Sequence, residues 1–181
     1  MTKEPRAHKL VCLTGFMGTG KSTVARLLAR QVGWPHVDLD KRVVDSVGLE
    51  ISDIFAQMGE PEFRRIEHEQ LSRVLGESAE AQQSRILSLG GGTTAQAYNL
   101  ALLREHSAVL IWLQCPIEVL LPRCAHITNR PLFRDEASFR QLYQQRLPFY
   151  ELSDYRVDSN TEPLRVVEQI LALGIFPKVT A

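Results

Sequence analysis

Residues Lys9–Gly33 read KLVCLTGFMGTGKSTVARLLARQVG. The run opens on Leu10-Val11-Cys12-Leu13, an apolar stretch long enough for one buried strand. Gly15-Phe16-Met17-Gly18-Thr19-Gly20 follows as a loop and leads straight into Lys21-Ser22-Thr23. Val24, Leu27, Leu28, Gln31 and Val32 then fall at helical spacing, and Gly33 is placed to end that helix in a left-handed cap. Strand, glycine-rich loop and helix are the local order on which the rest of the chain is built.

With those flanks, the spacing G-x-x-x-x-G-K-S is that of a phosphate-binding loop. Glycines let the backbone turn tightly and aim successive N–H groups at an anion. The helix N-terminus adds its positive dipole end at the same spot. Gly18, Thr19, Gly20, Lys21, Ser22 and Thr23 are thus the candidate nucleotide-binding residues. Lys21 is expected to reach the β- and γ-phosphates of ATP, and the Ser22 hydroxyl to ligate Mg²⁺. The competing reading, a glycine-rich turn before an ordinary helix, is disfavoured by the strand before it and the helix after it.

Composition sets the outer bounds. A chain of 181 residues, 44% hydrophobic, fits one globular domain with a sizeable core. The formal net charge of +0 implies no bulk attraction to nucleic acid or to an anionic membrane, and neither partner is expected. No apolar run approaches the ~18 residues that a membrane span needs. Met1–His8 is polar and contains Pro5, so no secretory signal peptide is expected. Cys12, Cys115 and Cys124 lack C-x-x-C spacing, which fits a reducing, cytoplasmic location. The five histidines show no metal-ligand spacing, and none is expected to hold zinc. Arginine carries most of the positive charge, with Arg123, Arg130, Arg134, Arg140 and Arg146 in one stretch. Of these, Arg134 and Arg140 read as solvated charges.

Further along, strands and helices alternate. His36–Asp40 reads as the exposed end of a strand, Ile51–Phe55 as the start of a helix, and Pro61 as the opening of another whose apolar stripe ends near Gly76. A polar loop is expected over Ser78–Ser84. Arg85–Leu89 reads as a strand ending on Gly90-Gly91-Gly92, where something can approach the backbone closely. A helix over Thr93–Glu105, a strand over Ala108–Leu113 and a helix over Pro116–Cys124 follow. A candidate lid spans about 125–136. A helix over Ala137–Tyr150, a short strand over Tyr155–Val157 and a last helix from Pro163 complete the chain. The expected fold is a three-layer α/β/α sandwich around a mostly parallel five-stranded sheet, a single domain with its core at about 9–175.

A bound nucleotide–metal pair needs a nearby carboxylate at a neighbouring strand's end. The strands ending near Leu89 and Leu113 offer none. Asp38 and Asp40 fit, and alternation along a strand would turn both into the crevice at the sheet's carboxyl edge. Asp38 is assigned to the Mg²⁺ water shell and Asp40 to the acceptor, where it takes or orients a hydroxyl proton. The alternative is that Asp40 caps a helix starting at Lys41.

Several stretches together resemble the shikimate kinase family: Gly15–Thr23, Asp38-Leu39-Asp40, Glu62–Glu67, Gly90–Gly92, Arg130-Pro131-Leu132, and Gln145-Arg146 before Pro148-Phe149-Tyr150. They occur in the family's order and span most of the chain. The resemblance implies transfer of the ATP γ-phosphoryl group to the 3-hydroxyl of shikimate. It further implies that Asp40, Arg64, Gly90, Gly91, Gly92 and Arg146 hold shikimate, with the helices at about 41–76 as the substrate-binding part. By the same resemblance, Arg130 meets the nucleotide phosphates from the lid and acts in catalysis beside Lys21 and Asp40, and Arg123 lies with Pro163 on the adenine side. Glu67, three residues after Arg64, is placed to hold its guanidinium. A monomer is the expected unit, and a kinase of another small hydroxylated acceptor, such as gluconate, is the alternative.

Overall fold

In the computed structural model, residues 9–125 and 135–177 are described. Strand β1 (Leu10–Thr14) is buried along its whole length, as its unbroken apolar run requires of a central strand. It is flanked on one side by β3 (Arg85–Ser88) and then β2 (His36–Asp38), on the other by β4 (Val109–Gln114) and then β5 (Tyr155–Asp158). All four pairings are parallel, with Cys12 opposite Leu87 on one side and Leu110 on the other.

The two faces of β1 sort its side chains. Val11 and Leu13 pack with Val24 and Leu28 of α1 (Lys21–Val32) and with Val166 and Ile170 of α8 (Pro163–Leu171). Leu10 and Cys12 pack on the other face, with Leu39 of α2 (Leu39–Val47), Leu71 and Val74 of α4 (Glu60–Glu80) and Leu103 of α5 (Ala97–Glu105). Helices therefore cover both sides, giving the three-layer α/β/α sandwich. A third cluster sets Phe16 of the loop edge-on against Phe139 and Tyr143 of α7 (Glu136–Tyr150), with Leu120 of α6 (Ile117–Cys124) beside them. A fourth joins Val43, Ile54, Phe63 and Ile66 across α2, α3 (Ile51–Met58) and α4.

The chain passes from β1 to β2 and β3 on one side of the sheet and then crosses over β1 to β4 and β5 on the other, so the strand order reverses at β1 and its carboxyl end opens on a crevice. Some boundaries differ from the sequence reading. Strand β2 stops at Asp38, whose carboxylate accepts from the Lys41 amide and caps α2, so Asp40 sits in a helical first turn rather than on a strand. Helix α4 does not stop at Gly76 but runs to Glu80, replacing most of the expected loop. Ser78, inside that helix, turns its hydroxyl back onto the Val74 carbonyl at 2.8 Å. The stretch after the three glycines starts with a 3₁₀ turn, Thr93–Ala95, before α5.

Candidate active site

The loop between β1 and α1 wraps one end of the crevice. Thr19 is buried and its Oγ1 donates to the Phe16 carbonyl at 2.8 Å, so it braces the loop from within rather than lining the cleft. Lys21 Nζ donates to the carbonyls of Gly15 at 2.8 Å and Phe16 at 2.9 Å, which lays the ammonium along the loop. Gly18, Gly20, Lys21, Ser22 and Thr23 share a polar cleft with Asp38, Asp40 and Arg123. The α1 N-terminus contributes its amides and dipole to the same place.

Asp38 ties the loop to the sheet. Its Oδ2 accepts from Ser22 Oγ at 2.5 Å and from Ser88 Oγ at 3.0 Å, and its Oδ1 from the Lys41 amide at 3.1 Å. Burial works to raise its pKa, but the three hydrogen bonds outweigh that and hold it below the ordinary carboxylate value. Ser88 Oγ spends its proton on Asp38 and lies 3.0 Å from His36 Nε2, which therefore donates to it. A hydroxyl beside an ionised carboxylate is a donor set suited to Mg²⁺, which keeps most of its waters and takes its other ligands from phosphate.

A second cleft opens beyond Gly90–Gly92. Its charged wall is Asp40, Arg64, Glu67 and Arg146, and its apolar wall includes Ile51, Phe55, Phe63 and Leu142. Helix α7 delivers Arg146: Phe139, Tyr143, Arg146 and Tyr150 recur at spacings of four and three and form its buried face. Arg146 Nη1 and the Tyr150 hydroxyl each donate to the Gly91 carbonyl at 2.5 Å. Helix α4 delivers Arg64 and Glu67 one turn apart. Arg64 Nη1 donates to Glu67 Oε2 at 2.8 Å, and Thr93 Oγ1 donates to Glu67 Oε1 at 2.7 Å.

The glycines set the spacing. A methyl built on Gly92 would run into the guanidinium groups of both Arg64 and Arg146, and one on Gly90 would meet Asp40 Oδ1 at 2.8 Å and Glu67 Oε1 at 2.9 Å. The two arginines thus converge on one glycine. Their charges are balanced unequally. Arg64 has Glu67 and Glu60, whereas among the described residues Arg146 has no carboxylate within ion-pair distance. Burial first, and the charge of Arg64 with it, lower the Arg146 pKa below the usual guanidinium value. Burial raises the Glu67 pKa against the pull of Arg64. A guanidinium held in this way stays cationic and calls for an anion.

Met17 and Asp40 line both clefts, so the phosphate loop and the arginine pair face one shared wall. The structure thereby brings together nearly all residues singled out in the sequence. Arg130, with Pro131 and Leu132 and most of the expected lid, lies outside the described residues. Sequence reasoning passed over Ser88 and Glu60. Ser88 was legible only as one more small strand residue, whereas Glu60 stood four residues before Arg64, at helical contact distance.

Fold and site together define a P-loop kinase of small molecules. A model of the family "Shikimate kinase" matches residues 17–173, and the chain belongs to that family. Relatives named shikimate kinase include one from Persephonella marina, 35% identical, with 89% of this chain and 96% of that protein covered. Another, from Moorella thermoacetica, is 40% identical over 83% of this chain and 84% of its own. Among solved structures, the shikimate kinase from Acinetobacter baumannii in complex with shikimate superposes with a TM-score of 0.80 at 30% identity, covering 96% of each chain. A gluconokinase from Sinorhizobium meliloti shares the fold at a TM-score of 0.58 and 20% identity, covering 92% of this chain and 91% of its own. No helix among the described residues is long and apolar enough to cross a membrane.

Proposed function

We infer that this chain transfers the γ-phosphoryl group of ATP to the 3-hydroxyl of shikimate, yielding ADP and shikimate 3-phosphate. One observation carries the reading. Two guanidinium groups converge on Gly92 in a cleft that shares Asp40 with the phosphate-loop cleft. An acceptor anchored by its carboxylate on the arginines presents its far hydroxyls toward the γ-phosphate.

Residue roles follow from position. Arg64 and Arg146 grip the acceptor carboxylate with charge-assisted hydrogen bonds. The Gly90–Gly92 backbone admits the ring at close range, and the apolar wall takes its carbon face. Asp40 orients the acceptor hydroxyl or takes its proton as the new P–O bond forms and the bond to the ADP oxygen breaks. Lys21 and the loop amides neutralise the charge on the β- and γ-phosphates, with Arg123 beside the same cleft. Arg130 is assigned to the same charge by its sequence motif alone. Ser22 and Asp38 would hold Mg²⁺, which supplies charge neutralisation across the β- and γ-phosphates when bound. Most of the rate comes from positioning and electrostatics, because phosphoryl transfer asks little covalent chemistry of the protein.

An acyclic polyol acid such as gluconate carries hydroxyls toward the apolar wall, which could not hydrogen-bond them; this weighs against the alternative acceptor. The test is ADP release from ATP and Mg²⁺, measured with shikimate, with gluconate and with no acceptor. Shikimate-dependent release is expected, and release driven equally by gluconate would overturn the assignment. Lys21→Met is expected to lower kcat by at least about 10²-fold, since it removes a donor aimed at the transferring group.

A further inference from the structure

Among the described residues, five charged side chains meet around the acid cleft: Arg64 and Arg146 against Asp40, Glu60 and Glu67. The two glutamates on Arg64 are held differently. Glu67 is built in, with its side chain 1% exposed and its two oxygens bonded to Arg64 and Thr93. Glu60 lends a single oxygen, Oε1, to two nitrogens of Arg64, Nη2 at 3.2 Å and Nε at 3.3 Å. Its side chain is 46% exposed, and it lies one turn before Arg64 on α4. The Arg64 side chain is only 10% exposed, so solvent reaches the pair from the Glu60 end and competes for that carboxylate there.

The atom that Glu60 touches is also the atom that matters for the acceptor. Arg64 Nη2 is the nitrogen facing Gly92 and the cleft. A carboxylate arriving there finds a tethered carboxylate already on it. Either Glu60 swings into solvent or it stays and repels the newcomer; both lower affinity for anions. Resting on the shikimate reading above, we propose that Glu60 is a specificity-determining residue. It is a built-in competitor for Arg64 that admits acids with one negative charge and penalises those with two. The first negative charge of an acceptor is met by the unbalanced Arg146. Beyond the two arginines, no further cation among the described residues lines this cleft; its remaining charged groups are the carboxylates Asp40 and Glu67, with Glu60 beside them on Arg64. Discrimination of this kind works by repelling the wrong ligand as well as by attracting the right one.

The test uses the full chain with Glu60→Gln and Glu60→Ala. KM for shikimate and kcat are measured at low ionic strength, together with inhibition by cis-4-cyclohexene-1,2-dicarboxylate, a ring diacid. The expected result is a KM for shikimate about 2- to 5-fold lower in both variants, the range that removing one exposed ion-pair partner allows. Inhibition by the diacid should tighten by a larger factor than shikimate does. A KM that is unchanged or higher in both variants would show that Glu60 orients Arg64 rather than competes for it, and overturns the proposal. Equal tightening of mono- and diacid overturns the specificity role. Glu60→Gln keeps the size and hydrogen-bonding reach of the side chain, so a folding defect confined to Glu60→Ala leaves the test standing. Failure of the underlying reading is seen separately, as a wild type whose ADP release does not respond to shikimate.

Discussion

Arg64 and Arg146 bear the same charge and converge on the same glycine, yet their removal is expected to have different consequences. Arg64 neutralises Glu67, a carboxylate with no exposure to speak of. Arg64→Ala strands that buried charge, which costs about 3–5 kcal/mol of stability in addition to the lost acceptor contact. Arg146 balances no carboxylate, so Arg146→Ala should leave stability nearly intact while raising the KM for shikimate about 10- to 100-fold, the worth of one charged hydrogen bond. Thermal melts and acceptor kinetics on the two variants separate these effects; equal melting points would disprove the asymmetry. Asp38 gives a pH prediction of definite sign. Its folded pKa is lowered, so its ionised form favours the native state. That contribution is present above the ordinary value of 3.8 and is lost as pH falls through the folded value. The difference in Tm between wild type and Asp38→Asn should be largest near neutral pH and close below the ordinary carboxylate pKa. A gap that stays constant, or widens on acidification, contradicts the assigned hydrogen bonds.

Helix α4 carries both the grip on Arg64 and a weak point of its own. Gly76 lies inside the helix, without a left-handed φ and with no atom within 4 Å of where a Cβ would go. Nothing there needs glycine, so Gly76→Ala should stabilise the chain by about 0.5–1 kcal/mol, measured by denaturant unfolding at unchanged m-value. A loss of stability would mean that the helix is interrupted at that point. The same glycine misled the sequence reading, because a glycine at the end of an apolar stripe looks like a cap. The stripe does fade there, but the helix continues, and Ser78 is buried in its last turn with its hydroxyl bonded back to the Val74 carbonyl. The β2–α2 junction misled in a related way. Alternation carried the strand through Asp40, whereas Asp38 both ends the strand and caps the helix. Where one residue type served one purpose, the sequence was readable: the β1–loop–α1 unit and the β3 strand before its glycines followed from period and spacing, whereas Arg146 on α7 was picked out only by the family resemblance. Where a polar residue served two purposes, period alone could not show it. Ser88 is a strand residue and a partner of Asp38; Glu60 is a first-turn acid, favoured at any helix start, and a partner of Arg64.

The chain couples two clefts through one sheet, so ligand binding should be readable in its global stability. A ligand that binds only the folded state stabilises it by about 2.7 kcal/mol at a hundred times its Kd. For a chain of 181 residues, each kcal/mol moves Tm by about 2–4 °C. ADP with Mg²⁺, and shikimate, should therefore each raise Tm by about 5–10 °C at that saturation. The two shifts have different sources in the fold. The ADP shift belongs to the loop after β1 and to Asp38, whereas the shikimate shift belongs to α4, α7 and the turn after β3. Arg146→Ala should abolish the shikimate shift at the same concentration and leave the ADP shift in place. Gly92→Ala should do the same by forcing the two guanidinium groups from their shared position, although it removes no charge. Lys21→Met should give the reverse pattern, keeping the acid shift and losing most of the nucleotide shift. These three variants sort the clefts by thermodynamics alone, without turnover. Loss of both shifts in Arg146→Ala would mean that the arginine pair supports the nucleotide side as well, and that the two clefts, joined at Met17 and Asp40, act as one site rather than two neighbours.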